Sequence, residues 1–145
     1  MPLEPLDATD ISNDDLIKAA QALLNPHVVG RRLFGHVAAV LVTDSGARHG
    51  GVCIDTGSGT GFCAEHAAVA AMVTAREYRI RRIVAVWRGD DGRLYVLAPC
   101  GRCREFMRQI DPQNLDAMVV LDRSRAVALR ELLPETDWPA PLPDR

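Results

Sequence analysis

The sequence predicts an α/β domain in which one mixed sheet carries helices packed on it. Stretches with apolar residues at helical spacing alternate with short continuous apolar runs. The chain has 145 residues, enough for one domain and short for two. Hydrophobic residues make up 48% and charged residues 25%, an ordinary globular balance.

Residues 1–11 contain Pro2 and Pro5 and no periodicity, so they are expected to form a loose arm. Ser12, with Asp15 three positions on, resembles a capping box in which Asp replaces Glu. Leu16, Ile17, Ala20, Leu23 and Leu24 then recur at helical spacing, and Asn25-Pro26 ends that helix. Val37 to Val42 reads as a strand buried on both faces. Asp44-Ser45-Gly46 is a turn, and His49 to Ile54 the returning strand. The glycine-rich run Thr56 to Gly61 is expected to be a mobile loop.

From Cys63 the pattern becomes helical and rich in alanine, which lets a helix backbone lie close to a sheet. Ile83 to Trp87 is a third strand, Gly89 to Gly92 a turn, and Leu94 to Ala98 an extended segment delivering Pro99-Cys100. Phe106, Met107 and Ile110 mark a helix that Asp111-Pro112 stops. Met118 to Leu121 is a fourth strong strand, and Ala126 to Leu133 a short strand with a turn of helix. Pro134, Pro139, Pro141 and Pro143 make the end a tail. The expected division is an arm over 1–11, a domain over 12–135 and a proline-rich tail over 136–145.

The formal net charge of -2 gives no basic field toward nucleic acid or anionic membrane. No stretch approaches the roughly 18–20 apolar residues that span a bilayer. The opening, Met1 to Asp15, is acidic and unlike an export signal. In that setting Cys-x-x-Cys points to metal or redox chemistry rather than disulfides, and to the cytoplasm.

Two clusters carry the chemistry: Cys63-Ala64-Glu65 and Pro99-Cys100-Gly101-Arg102-Cys103. Three thiols suit zinc, which in catalytic sites keeps three protein ligands and one open position. Both clusters fall where a helix begins, and the positive end of a helix dipole favours thiolates. Cys100-x-x-Cys103 alone leaves metal and redox readings open; Cys63-x-Glu65 upstream decides for zinc. Glu65 is placed to handle protons rather than to bind metal. The pair resembles the signature of zinc-dependent nucleobase deaminases, where a glutamate follows the first ligand by two positions.

The chain further resembles the cytidine deaminase family, over roughly residues 12–135. Phe34 followed by Ala38-Ala39 looks like the family's Phe-x-Val-Gly-Ala-Ala. Gly51-Val52-Cys53-Ile54-Asp55 falls where the family has Gly-x-Asn-x-Glu, and Leu129 to Pro134 resembles its C-terminal segment. Pro-Cys-Gly-Arg-Cys-Arg with a late Arg-Glu-Leu-Leu-Pro looks especially like blasticidin-S deaminase. The resemblance implies a three-layer cytidine-deaminase-like domain with one Zn²⁺ per subunit on Cys63, Cys100 and Cys103. It implies Glu65 as the proton carrier in hydrolytic deamination of a cytosine-type nucleoside to the uracil-type product and ammonia.

Phe34, Cys53, Asp55 and Ala64 become candidate substrate contacts. Arg102 and Arg104 become candidates to offset thiolate charge, because His66 stands where cytidine deaminases usually carry arginine. His66 is expected to hydrogen-bond a thiolate or face a neighbour rather than to ligate. The implied partners are a small nucleoside and further copies of the chain, a homotetramer being favoured, with no nucleic acid and no membrane. Cys53 and Asp55 depart from the ribose-holding Asn-x-Glu, which opens an alternative substrate, an aminonucleoside antibiotic such as blasticidin S. A structural zinc module is the reading of another class; it would take a fourth ligand from Cys53, His49 or His66 and leave Glu65 idle. A polynucleotide deaminase is disfavoured by cysteine as first ligand and by the acidic charge.

Overall fold

The computed structural model describes residues 11–145, so the expected arm lies outside the described residues except for Ile11, which packs against the core. Helix α1 (Asn13–Leu23) starts on the Ser12 cap, whose hydroxyl accepts the Asp15 N–H at 3.0 Å. A hairpin follows, β1 (His27–Val29) and β2 (Arg32–Phe34). Then come β3 (Val37–Thr43), β4 (Arg48–Val52), α2 (Ala64–Thr74), β5 (Ile80–Arg88), β6 (Leu94–Leu97) and α3 (Gly101–Ile110). A 3-10 turn (Pro112–Asp116), β7 (Met118–Val120), β8 (Ala126–Ala128) and the single-turn α4 (Leu129–Leu132) complete the described chain.

The main sheet has the order β4-β3-β5-β7-β8. Its pairs are antiparallel except β5 with β7, so the sheet is mixed, as expected. The outer edge of β5 is shared: Arg82 and Ile83 pair with β7, whereas Ala85 to Arg88 pair with β6. Alternation along the strands builds two cores. Ala39, Leu41, Ile83 and Ala85 pack toward α2 and α3, and Ala38, Val40, Val42, Val84 and Val86 toward α1. The three layers expected from the family resemblance are present.

Some boundaries differ from the sequence expectation for visible reasons. β5 runs beyond Ile83–Trp87 at both ends, and its early arginine is accommodated because Arg82 donates to Asn13 Oδ1 at 2.6 Å. β4 ends at Val52 because Ile54 leaves it and pairs with Phe62 instead. That bridge closes the 55–61 loop, which the Thr60 hydroxyl braces by donating to Gly57 O. The β1–β2 hairpin was not anticipated.

Two contacts position the elements that matter below. A Cβ on Gly51 of β4 would lie 2.4 Å from Ala67 Cβ and 2.8 Å from Ala67 C, so glycine and alanine let α2 sit directly on the strand. Asn114, fully buried, accepts from Ile80 N–H at 2.8 Å and donates to Tyr78 O and Met107 O at 3.0 and 2.9 Å. One amide thus ties the start of β5 to the late turns of α3.

At the far end of α2, Glu77 accepts hydrogen bonds from Thr43 and Ser45 hydroxyls at 2.7 and 2.6 Å and meets His49 Nε2 at 3.1 Å. Burial alone would raise its carboxyl, but the bonds from Ser45, Thr43 and His49 outweigh that and hold it below the usual range.

Gly51→Val should cost about 1–3 kcal/mol through overpacking of α2 against β4, read by denaturant unfolding; a variant as stable as the parent would show that α2 can shift freely. A carboxyl held below its unfolded value stabilises the fold above that value, and the contribution fades as pH falls through the folded value. The parent should therefore lose stability below about pH 4, and Glu77→Gln should flatten that part of the profile while costing about 1–3 kcal/mol at pH 7. Superimposable pH–stability curves would refute this role for Glu77.

Candidate metal and active site

Cys63 and Cys100 are the N-caps of α2 and α3, and neither side chain makes a capping bond. Their thiols are left for each other: Cys63 Sγ lies 3.7 Å from Cys100 Sγ, which lies 3.4 Å from Cys103 Sγ. Ligands about 2.3 Å from a tetrahedral zinc stand about 3.8 Å apart, so these spacings fit one ion. His66 Nδ1 joins the cluster 3.4 Å from Cys103 Sγ, and Cys63, His66 and Cys103 keep their donor atoms within 4.8 Å of one another. The His66 ring is fixed by stacking on Phe106, with centroids 4.2 Å apart and planes 11° from parallel.

The electrostatics suit a cation. Burial pushes the Cys103 thiol far above its usual range, and the neighbouring Glu65 charge adds to that. Burial likewise raises Cys63. At Cys100 burial acts the same way but loses to the N–H of Cys103, the Cys103 and Cys63 thiols and the N–H of Arg102, which together hold it below its usual value. His66 is lowered by burial and then by the charge of Arg102. Glu65, only 6% exposed, is raised by burial, with the Cys103 thiol as its opposing partner.

A cavity of about 410 Å³ opens over this cluster, within the roughly 300–1,000 Å³ usual for small-molecule sites. Its walls include Cys63, Glu65 and Cys100, together with Cys53, Asp55, Ala64 and Arg102. Phe34 is not among its lining residues; it sits on β2. Arg104 is committed elsewhere, donating to Pro99 O at 2.8 Å and Leu132 O at 3.0 Å. His36, Phe62 and Leu97 also line the cavity, and sequence reasoning passed over them. His36 carried no periodic or motif signal, because the apolar run begins one residue later.

The model of the family described as the cytidine and deoxycytidylate deaminase zinc-binding region matches residues 13–119. The chain belongs to that family. No curated protein matches it significantly. Cytidine deaminase from Mycobacterium tuberculosis is 28% identical, with a TM-score of 0.69, over 87% of this chain and 97% of that one. Cytidine deaminase from Burkholderia pseudomallei is 26% identical, with a TM-score of 0.68, over 86% and 98%. The Mycobacterium leprae enzyme, 24% identical with a TM-score of 0.68 over 87% and 100%, shares the fold. This member of the deaminase family is a hydrolase acting on C–N bonds, and its cofactor is zinc, which the thiol–imidazole cluster fits as one ion per chain. Among the described residues no helix is long and apolar enough to cross a membrane.

Proposed function

We propose that the chain deaminates a cytosine-type nucleoside, with Cys63, Cys100 and Cys103 as zinc ligands and Glu65 as the proton carrier. The observation that carries this is a buried carboxyl beside three thiols at tetrahedral spacing, with Glu65, Cys63 and Cys100 lining one ligand-sized cavity. Zinc held there supplies Lewis acidity and makes water a nucleophile near neutral pH. Glu65 takes one proton from the attacking water and gives it to the ring nitrogen, then takes the second from the hydroxyl now on the ring carbon and gives it to the amino group, which departs as ammonia. Its raised affinity for a proton, a result of burial, suits both duties. Cys53, Asp55 and Ala64 contact the substrate from the cavity wall, and Arg102 offsets part of the thiolate charge.

His66 in this reading hydrogen-bonds Cys103 and does not ligate, which leaves the fourth zinc position open. Cys100→Ala should then lose most bound zinc, while His66→Ala keeps one ion per chain. Glu65→Gln should keep the zinc and lose about 10²–10⁴-fold in turnover. Metal analysis with ammonia release on cytidine, deoxycytidine and blasticidin S reads these outcomes. Zinc lost from the His66 variant, with no ammonia released by the parent protein on any of the three compounds, would instead mark a closed structural site.

We also propose a homotetramer. The hairpin supports it by presenting Val28 and Val29 at 64% and 57% exposure. Light scattering at micromolar concentration should give four chains per particle, and a monomer alone would exclude it.

A further inference from the structure

We propose that His36 is a substrate-contacting, specificity-determining residue that holds the sugar end of the nucleoside, paired with Cys53. This rests on the deaminase reading above and deepens it. Deamination requires the amino-bearing ring carbon at Glu65 and the thiols, so the ring's sugar substituent lies at the opposite end of the cavity. His36 marks that end. With Val37 and Leu97 it forms the wall common to the reaction cavity and a second cavity of about 590 Å³, which none of the three thiols and not Glu65 lines.

The chemistry at that wall is specific. Cys53 Sγ lies 3.4 Å from His36 Nδ1 and 4.0 Å from Nε2, and Cys53 is buried. A thiol is a weak donor and a weak acceptor, so by itself it holds a hydroxyl poorly. A neutral imidazole has one donor and one acceptor nitrogen, the same complement as an alcohol needs. The sulfur lies against both ring nitrogens, nearer Nδ1, and so packs on the ring and holds it at the cavity wall. Two other polar side chains on the wall have partners of their own: Thr56 Oγ1 is 2.8 Å from Thr60 Oγ1, and Arg102 reaches toward Gly61 O. Asp55 is exposed and lines the same cavity. His36 therefore stands beside Asp55 as a polar group on this wall able to read a sugar hydroxyl.

The experiment compares cytidine with 1-methylcytosine, which keeps the reacting ring and lacks the sugar. Two variants are used, His36→Ala and His36→Gln, each checked for zinc content and melting temperature. In His36→Ala, kcat/KM for cytidine should fall about 5–10-fold, mostly through KM, while that for 1-methylcytosine stays within twofold. His36→Gln, which restores a donor and an acceptor, should recover at least half of the loss on a logarithmic scale. Calorimetric binding of cytidine to the Glu65→Gln protein, with and without His36→Ala, should show the same weakening without turnover. Equal losses on both compounds would mean that His36 only shapes the cavity, and unchanged kinetics on both would mean that it touches no substrate; either overturns the inference. A parent protein that deaminates neither compound, nor any other cytosine nucleoside, would instead overturn the deaminase reading on which it rests.

Discussion

The seat of α2 on the sheet is the constraint from which the site is built. Gly51 has no side chain and Ala67 has one carbon, and the strand and helix backbones meet there. The same helix is buried at Ala64, Glu65, Ala68, Val69 and Met72, and its apolar residues surround it rather than forming a single stripe. Its first turn then projects Cys63, Glu65 and His66 as one rigid group. A loosely held loop would have to order these side chains each time they acted; a helix start packed on a sheet has them in place.

That placement concentrates groups that repel one another when ionised. Glu65 raises the proton affinity of Cys103 and of Cys63, and burial disfavours any anion. Left to themselves the Cys63 and Cys103 thiols keep their protons. A dication reverses the balance by exchanging protons for metal bonds, which is why binding to such a cluster depends on pH. The helix starts contribute on the same side, most clearly at Cys100, where backbone N–H groups together with the Cys103 and Cys63 thiols overcome the cost of burial. The fold thus supplies a site whose stability as an ionised cluster depends on a cation.

What was legible in the sequence was what depends on near neighbours or on full burial. Cys63-x-Glu65 and Cys100-x-x-Cys103 could be read because their spacing sets their geometry along one helix turn. β3 could be read because both of its faces are covered, leaving an unbroken apolar run. The alanine content of α2 announced its close approach, although its partner Gly51 did not. The β1–β2 hairpin could not be read because its side chains are largely exposed and no burial period exists to detect. The start of β5 was hidden by Arg81 and Arg82, and the latter is satisfied by a residue 69 positions earlier. His36 escaped for a related reason: its contact with Cys53 is made across the sheet edge, not along the chain.

Asn114 gives α3 the mechanics of a lever. The amide grips Met107 O in the late turns of α3, and through Ile80 and Tyr78 it fixes that end to the entry of β5. The opposite end carries Cys100 and Cys103. Ten residues of α-helix span about 15 Å, so a tilt of about 5° at the gripped end swings the first turn by about 1.3 Å. A displacement near 1 Å is the scale at which reacting groups lose alignment, at a cost of about 10²-fold in rate. The tolerance of the thiol cluster is therefore set partly by a neutral amide at the far end of the helix, in a part of the molecule that no substrate reaches.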